Sequence, residues 1–484
     1  MKKTLLTLLA AFLISMPAYA ASKTPVKPIK QRGNMEINVT PKTRKSVSVT
    51  VYNNGLGLVR DVRSVNLQSG KNSLAFVDVS ASIQPETALF LGKDLSVLEQ
   101  NFNFDLLSQT SLLNKFLGKQ IQVLRTNAGN GKETVETATV LAVDAGLVLK
   151  IGDRIETNYD GRLIFPDVPA NLRDRPTLVI DVIAKAAGLQ DVELAYLTNG
   201  MSWKADYVAE LNDDETKIAL NGWVTLTNTT GVSYENASLQ LVAGDVNRVR
   251  PQRPVMMKAA RNAVMLEAAA FDSAVSEQEL MDYHLYSLGR ATDVLSNQTK
   301  QVALLNAPSV SASKVYNMEN IVPVYAAQGM RNVDMRNAKV KLKFENKKAD
   351  GLGMALPAGT VRVYKSDDKK SLYFVGEDSI RHTPENEKIE LTLGDAFDVT
   401  ASAKQTDFTQ MGDKTYDAAY EITFKNAKKT PVVISYYQSF PQTFRILTQS
   451  VKSENDNASR VKWEIPVKAS GETVLTFSVR VSRP

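Results

Sequence analysis

Few of the residue types that enzymes use for catalysis or metal binding occur in this chain. It has two histidines, His284 and His382, and no cysteine. A histidine-based zinc site needs three or four clustered ligands, whereas these two lie about a hundred residues apart. His284 alternates with apolar neighbours, which is more typical of a strand than of a general base. We therefore predict no metal site and no cofactor.

Serine-nucleophile and phosphate-binding patterns are equally weak. Ser311 and Lys314 match Ser-x-x-Lys, but the companion motifs of the acyl-serine enzymes are missing and the match lies in a strand-rich stretch. Neither Gly-x-Ser-x-Gly nor a glycine-rich phosphate loop is present. The sequence thus gives no positive evidence of an active site, and any catalytic residue is unknown from it.

A few carboxylates and aromatic rings remain as candidates for binding or catalysis. Glycosidases draw their two acids from distant strands, so spacing alone does not reveal such a pair. The structural alternative for each carboxylate is a position at a turn or a sheet edge. The rings could bind carbohydrate if they are exposed. The candidate site residues are Trp203, Asp206, Tyr207, Glu235, Asp245 and His284.

The chain begins with the pattern of a secretory signal peptide, residues 1–20. Lys2 and Lys3 precede an apolar stretch, and Ala18-Tyr19-Ala20 suits signal peptidase. No later run approaches the roughly 20 apolar residues of a membrane-spanning helix. We expect an exported protein without a transmembrane segment, in the periplasm or secreted. Because it has no cysteine, its stability must come from burial and not from disulfides.

The basic character of the chain is concentrated near its start. Residues 21–46 hold seven lysines and arginines against Glu36 alone, a charge of +6, whereas the residues from Val47 onward sum to about −2. We interpret 21–46 as a basic disordered tail that could touch an anionic membrane surface, or that simply forms a solvated linker. Because the high pI comes from this tail, a folded nucleic-acid-binding face is not supported.

A five-residue phrase, apolar-x-apolar-x-Asn, occurs four times and ends at Asn53, Asn228, Asn346 and Asn426. Strict alternation predicts a strand with one buried face. An asparagine at its end can adopt left-handed geometry or bond to nearby backbone, and either stops the strand. The phrase therefore predicts a β architecture and no particular chemistry.

Short alternating runs separated by turn residues predict an all-β fold of tandem immunoglobulin-like β-sandwiches. Residues 47–108 form an N-terminal sandwich segment. Residues 109–170, a short helix and five meander strands, suit a small SH3-like or Sm-like barrel. Residues 171–345 form a central sandwich with a mobile, partly helical, Met-rich insertion at 248–281. Residues 346–484 suffice for a C-terminal sandwich.

Several longer stretches carry a family resemblance: YLTNGMSWKADY at 196–207, GWVTLTN at 222–228, YNNGL within 51–56, LVAGD at 241–245 and YHLY at 283–286. These stretches resemble the bacterial families that carry the DUF4139 domain, whose function is uncharacterised. The resemblance extends over nearly all of the chain after the signal peptide, and it implies no known activity, cofactor or catalytic residue. Proteins labelled mucoidy inhibitor look similar in this domain but differ in their N-terminal part, so their label does not transfer.

These features together favour a non-enzymatic periplasmic interaction protein, whose strand edges or domain junctions bind an envelope partner. The reasons are the signal peptide, the tandem sandwiches, the Met-rich insertion and the missing catalytic groups. The alternative is a carbohydrate-active hydrolase or a carbohydrate-binding protein that acts on envelope polysaccharide. The expected partner is accordingly an unknown envelope protein or polysaccharide, and not a nucleic acid.

Overall fold

The structure is a computed structural model, and it describes most of the sequence beyond residue 35. Outside the described residues lie the predicted signal peptide, residues 21–35 of the tail, Asp245 and residues 248–274 of the insertion. Strands dominate the remainder, so the predicted all-β fold is confirmed. The described ranges are 36–127, 129–144, 146–169, 172–244, 246–247, 275–280, 283–322, 332–367, 369–440 and 443–482.

The described residues form thirty strands and a few short helices. None of these helices is long and apolar enough to cross a membrane. The helices are α1 Gln109–Lys115 and the 3-10 turns Pro41–Thr43, Pro85–Thr87 and Lys348–Asp350. The first nineteen strands are β1 Ile37–Val39, β2 Arg44–Tyr52, β3 Leu56–Leu67, β4 Gly70–Val77, β5 Leu89–Gly92, β6 Leu95–Asn103, β7 Gln120–Thr126, β8 Glu133–Ala142, β9 Val148–Ile151, β10 Arg154–Thr157, β11 Arg162–Ile164, β12 Thr177–Ala184, β13 Gly188–Asn199, β14 Met201–Leu211, β15 Lys217–Asn228, β16 Tyr234–Ala243, β17 Val275–Leu280, β18 Tyr283–Leu288 and β19 Thr292–Val294. The others are β20 Gln298–Glu319, β21 Val333–Glu345, β22 Gly359–Ser366, β23 Leu372–Ile380, β24 Lys388–Gln410, β25 Thr415–Asn426, β26 Val432–Ser439, β27 Thr443–Gln449, β28 Glu454–Asn457, β29 Arg460–Val467 and β30 Gly471–Ser482.

Two sheets enclose the N-terminal part of the core, and both mix strands from before and after the small five-stranded unit. One sheet has the order β1-β4-β12-β6, and the other has the order β17-β18-β16-β2-β3-β13-β5. Their buried residues, such as Val49, Phe76 and Leu194, belong to one hydrophobic cluster. The strands of segment 47–108 thus find their partners in segment 171–345, because β2 to β4 alone would leave an apolar face and a free edge.

The last part of the predicted disordered tail is folded. Residues 37–39 pair in parallel with β4, and β2 begins at Arg44. Arg44 pairs with Asp61 on β3 and is largely buried. Composition alone favours disorder for such a basic segment, but a charge partner on a neighbouring strand offsets the cost of ordering it.

The small unit at 109–170 has the five meander strands that the sequence predicts. Its order is β10-β9-β8-β7-β11, and α1 packs Leu113 against a separate small core that includes Ile121 and Val140. Within the described residues the two outer strands, β10 and β11, do not pair with each other. The unit is therefore an open five-stranded sheet with two edges and not a closed barrel.

A thirteen-stranded sheet connects the first core to the C-terminal one through two very long strands. Its main path is β23-β22-β14-β15-β20-β21-β24-β25-β30-β27. β20 contributes Leu304 to the first core and Met318 to the second, and β24 does the same with Leu391 and Ala401. In the second core, Trp463 lies against Tyr436 and Phe477, with ring centroids 5.5 and 5.1 Å away. The two cores consequently share strands instead of a linker.

The end of the predicted insertion is a strand and not a helix. Residues 275–280 form β17, which pairs antiparallel with β18 along its whole length. Helix propensity is a weak preference, and a six-residue segment with a hairpin partner adopts the partner's structure.

Three of the four phrase-ending asparagines, Asn228, Asn346 and Asn426, are buried and bond to backbone. In Asn228 and Asn426, Oδ1 accepts the N–H two residues later at 3.0 Å, and Nδ2 donates to the carbonyl oxygen four residues later at 2.9 Å. Asn346 holds the N–H of Gly353 and the carbonyl of Met354 at 3.0 and 2.8 Å. No phrase asparagine has a positive φ. Asn228, Asn346 and Asn426 therefore end their strands by side-chain bonds and not by left-handed geometry.

We expect Asn426→Ala to lower the free energy of unfolding by roughly 2 to 4 kcal/mol, because it leaves the buried carbonyl of Val467 and part-buried backbone groups of Lys428 and Lys468 without this partner. Asn457→Ala is the matched control, since Asn457 also accepts a backbone N–H but is exposed. Its loss should stay below about 1 kcal/mol. Urea unfolding followed by circular dichroism measures both values, and equal losses would contradict the role given to Asn426.

Candidate functional site

The two predicted aromatic candidates, Trp203 and Tyr207, point into the core. They are 4 % and 0 % exposed. Trp203 Nε1 donates to the carbonyl of Val242 at 3.3 Å, and the Tyr207 hydroxyl donates to the carbonyl of Pro357 at 2.8 Å. Neither ring can stack on a sugar in this position, so the carbohydrate-binding hypothesis loses the feature on which it rested.

Asp206 lies between these rings in sequence and points to the opposite, outer face of the sheet. Its carboxylate accepts from Thr225 Oγ1 at 2.9 Å and Arg362 Nη1 at 3.1 Å, and lies 3.3 Å from Lys204 Nζ. Burial alone would raise the pKa of Asp206, but these hydrogen bonds and charges outweigh burial and lower it. Asp206 is thus an ionised carboxylate that is fixed by its partners, and it is not a proton donor. The tryptophan on this outer face is Trp223, which is directly opposite Asp206 in the β14–β15 register.

His284 has a carboxylate partner and takes part in holding a loop, residues 353–358. Its Nδ1 lies 2.7 Å from Glu277 Oε1. The other oxygen of Glu277 accepts the N–H of Ala355 at 2.9 Å, and the Tyr286 hydroxyl donates to the Ala355 carbonyl at 2.8 Å. The Tyr286 ring also meets Trp203 edge to face, at 6.2 Å between centroids. Glu277 and Tyr286 therefore hold both polar backbone groups of one loop residue.

The second histidine of the chain serves the same loop. His382 Nδ1 accepts the N–H of Ala358 at 3.2 Å. The Tyr207 hydroxyl donates to the carbonyl of Pro357, and Asn346 Oδ1 accepts the N–H of Gly353. Side chains from several elements thus bond to the loop along its whole length. Trp203, Tyr207 and His284 are thus brought together around a packed loop and not around an open pocket.

The remaining candidates lie elsewhere. Glu235 is exposed and lines a cleft of about 970 Å³ on the N-terminal sheets, whereas Asp206 lies on the outer face of β14. The described residues therefore do not place these two acids in one cleft as a glycosidase pair requires.

The Ser-x-x-Lys match does not form a nucleophile and base pair. Ser311 donates to Asp350 at 3.1 Å, and Lys314 forms an ion pair with Glu215. Within the described ranges, no three metal-ligating side chains cluster.

Behind the wall of the cleft lies a buried ionic cluster that the sequence did not reveal. Asp61 accepts two bonds from Arg44, at 3.0 and 2.8 Å, and two from Arg63, at 3.1 and 2.7 Å. Arg63 is 0 % exposed, lies over the Phe76 ring at 4.4 Å, and donates through Nη1 to the carbonyls of Val39 and Val77. Two guanidinium groups thus share one carboxylate. Spacing along the chain gives no signal for this cluster, because it depends on which strands pair.

Besides the cleft, the surface has a second notable feature, the edge strand β23. It lies at one end of the strand order in the thirteen-stranded sheet. Its first four side chains, Leu372, Tyr373, Phe374 and Val375, are all 39–55 % exposed. Farther along, Asp378 Oδ2 accepts the N–H of Thr392 on β24 at 2.7 Å. Among the described residues, no strand pairs with the outer side of residues 372–375. The sequence signal for this edge is four successive apolar residues without alternation.

We expect Asp61→Asn to lower the free energy of unfolding by about 3 to 5 kcal/mol at pH 7, because two buried guanidiniums lose their counter-charge. Burial would raise the pKa of Asp61, but bonds from Arg44 and Arg63 hold it below the ordinary 3.8. The unfolded state therefore binds the proton first, and stability is lost as pH falls below about 4. The difference between wild type and variant should shrink there.

The matched control for this prediction is Asp417→Asn. Asp417 also makes a two-fold bond to an arginine, Arg480, but the pair is on the surface. Exposed pairs contribute little, so only a small loss is expected. Urea unfolding at pH 7 and pH 3 measures both variants. A large loss in the control, or a pH-independent loss in Asp61→Asn, would contradict the assignment.

Comparison with known proteins is consistent with this picture of a fold without an assigned chemistry. No curated protein matches the chain. A family model described as a domain of unknown function, DUF4139, matches residues 192–484. The match covers more than half of the chain, from Val192 within β13 through the C-terminal sandwich, and it leaves out β1 to β12. The chain therefore belongs to the DUF4139 family.

Proposed function

We propose that this protein is a non-enzymatic binding protein of the cell envelope, located in the periplasm, and that β23 receives an extended segment of a partner protein. The observation that carries the proposal is the edge at residues 372–375. It combines an unpaired outer side with four exposed apolar side chains. An added strand would satisfy the free peptide groups and cover the apolar side chains on both faces.

Natural proteins usually protect such an edge. Charged side chains, prolines, bulges or a covering loop are the common devices. Residues 372–375 contain no charge and no proline, and the hairpin tip before them carries Lys369 and Lys370. In the second half of β23, the bond from Thr392 to Asp378 brings β24 alongside the strand. The contrast within one strand favours a binding role for the first half.

The state of the catalytic candidates supports binding over catalysis. Asp206 is held as an anion by Arg362 and Thr225, and Trp203 and Tyr207 are in the core. The carboxylate of Glu277 is shared between His284 and the backbone of the 353–358 loop. These groups therefore have structural partners. The periplasmic location rests on the signal-peptide pattern at residues 1–20.

The proposal is tested by placing a photo-crosslinking amino acid at Tyr373 in the full chain and irradiating intact cells. We expect one discrete adduct of higher mass. The matched position is Leu189 on β13, which is 74 % exposed and should give no discrete adduct. The double change Leu372→Lys and Phe374→Lys should abolish the adduct at Tyr373 while leaving the circular dichroism spectrum unchanged, because like-charged lysines protect an edge.

Two results would count against strand addition at β23. One is the same set of adducts from Tyr373 and Leu189, which would indicate non-specific contact. The other is an adduct at Tyr373 that persists in the two-lysine variant. Absence of any adduct at Tyr373, with the protein present and folded, would also overturn the proposal.

A further inference from the structure

The cleft beside the 3-10 turn Pro41–Thr43 has the size and walls of a ligand site. Its volume of about 970 Å³ exceeds those of two clefts on the C-terminal sandwich, about 450 and 380 Å³. Sites for small molecules span roughly 300 to 1,000 Å³. Four separate segments form the walls: residues 40–47, 77–78, 174–176 and 231–236. The cleft therefore exists only in the folded protein.

An excess positive charge lies at the wall of this cleft. Arg44 lines the cleft, and behind it Asp61 is shared with Arg63. Two guanidinium groups against one carboxylate leave one positive charge. Arg63 is fully buried, and four of its five N–H donors bond to Asp61 and to two backbone carbonyls. A buried charge without a counter-ion is costly, so the excess favours an anion on the cleft side of Arg44.

The two buried phenols near Asp61 and the paired Asp78 do not supply that anion. Burial raises the pKa of Tyr196 to about 12 and raises that of Tyr234 well above its ordinary value, so both phenols are neutral at physiological pH. Asp78 on the cleft wall is paired with Arg175 at 3.0 Å. Residues 21–35, which precede the cleft in sequence, contain only basic charges.

The mouth of the cleft adds two lysines and sets a limit on the ligand. Lys42 and Lys45 are exposed and make no ion pair with any other described residue. Asp174 and Glu235 line the cleft as well, so four cations face three carboxylates, a net charge of +1. A net charge of +1 is balanced by a single negative group on the ligand. Hydroxyl and amide side chains, including Thr40, Ser46 and Asn236, provide bonds for a polar body.

We propose that this cleft binds a small polar ligand through one anionic group, a carboxylate or a phosphate, placed between Arg44, Lys42 and Lys45. This site is separate from β23, and it gives a second use to the basic residues that composition alone assigns to a tail. An acidic sugar has this chemistry: one charge on a body of hydroxyl groups. The carboxylate and phosphate forms are separated by the choice of probe.

Isothermal titration calorimetry of the full mature chain with glucuronate, glucose 1-phosphate and glucose tests the proposal. We expect at least one of the two acidic probes to bind and glucose to bind at least about tenfold more weakly. The double variant Lys42→Gln and Lys45→Gln should weaken the acidic probe about tenfold. The matched control is Lys404→Gln with Lys425→Gln, two exposed lysines of the C-terminal sandwich, which should leave binding unchanged.

Each outcome decides a part of the proposal. Binding of glucuronate alone identifies a carboxylate ligand, and binding of glucose 1-phosphate alone identifies a phosphate ligand. Arg44→Lys, which keeps the charge but loses the two-fold bond to Asp61, should also weaken the probe, with circular dichroism as the check on folding. Equal binding of glucose, equal effects in the two double variants, or no binding of either acidic probe would overturn the proposal.

Discussion

The architecture depends on satisfying the peptide groups where strands leave their sheets. In an all-β chain every strand end releases N–H and C=O groups, and those groups must find partners if they are buried. Here buried carboxamides provide them. Asn228 and Asn426 make the same local bonds in the two sandwiches, and each also donates to a crossing segment, at Val294 and Lys468. One side chain thus ends a strand, shapes the following turn and attaches it to a neighbour. Tight packing of the apolar faces is possible only after these groups are satisfied.

How much of this could be read from the sequence differs between local and non-local features. Strands, turns and the five-stranded unit follow from alternation and from Gly and Asn positions, so they were predictable. Which strands pair was not, because β2 pairs with β16 and β14 with β22, in parallel and far apart in sequence. The face of the sheet on which Trp223 lies was predictable in principle from the alternation of β15. In the phrase Val224-x-Leu226-x-Asn228 the even positions are buried, which places Trp223 outside.

The charged residues were harder to interpret than the apolar ones. A run of lysines and arginines predicts disorder only if those charges have no partners, and a partner can come from any strand. Arg44 finds Asp61 on the next strand, and this contact joins backbone pairing in holding the end of the basic segment in β1 and β2. The same pairing buries Arg63 and creates the unequal charge of the cleft wall. Composition cannot show this, because the total charge of a segment does not report where each group lies.

The two long strands shared between the cores have a mechanical consequence. β20 has 22 residues, so when extended it spans roughly 70 Å. A load applied across the two sandwiches runs along β20 and β24, where ladders with β15, β21 and β25 resist it in shear at many hydrogen bonds at once. A flexible linker would instead yield at the first low force. Among the described residues, force applied to one sandwich is therefore transmitted to the other along two continuous strands and not through a linker.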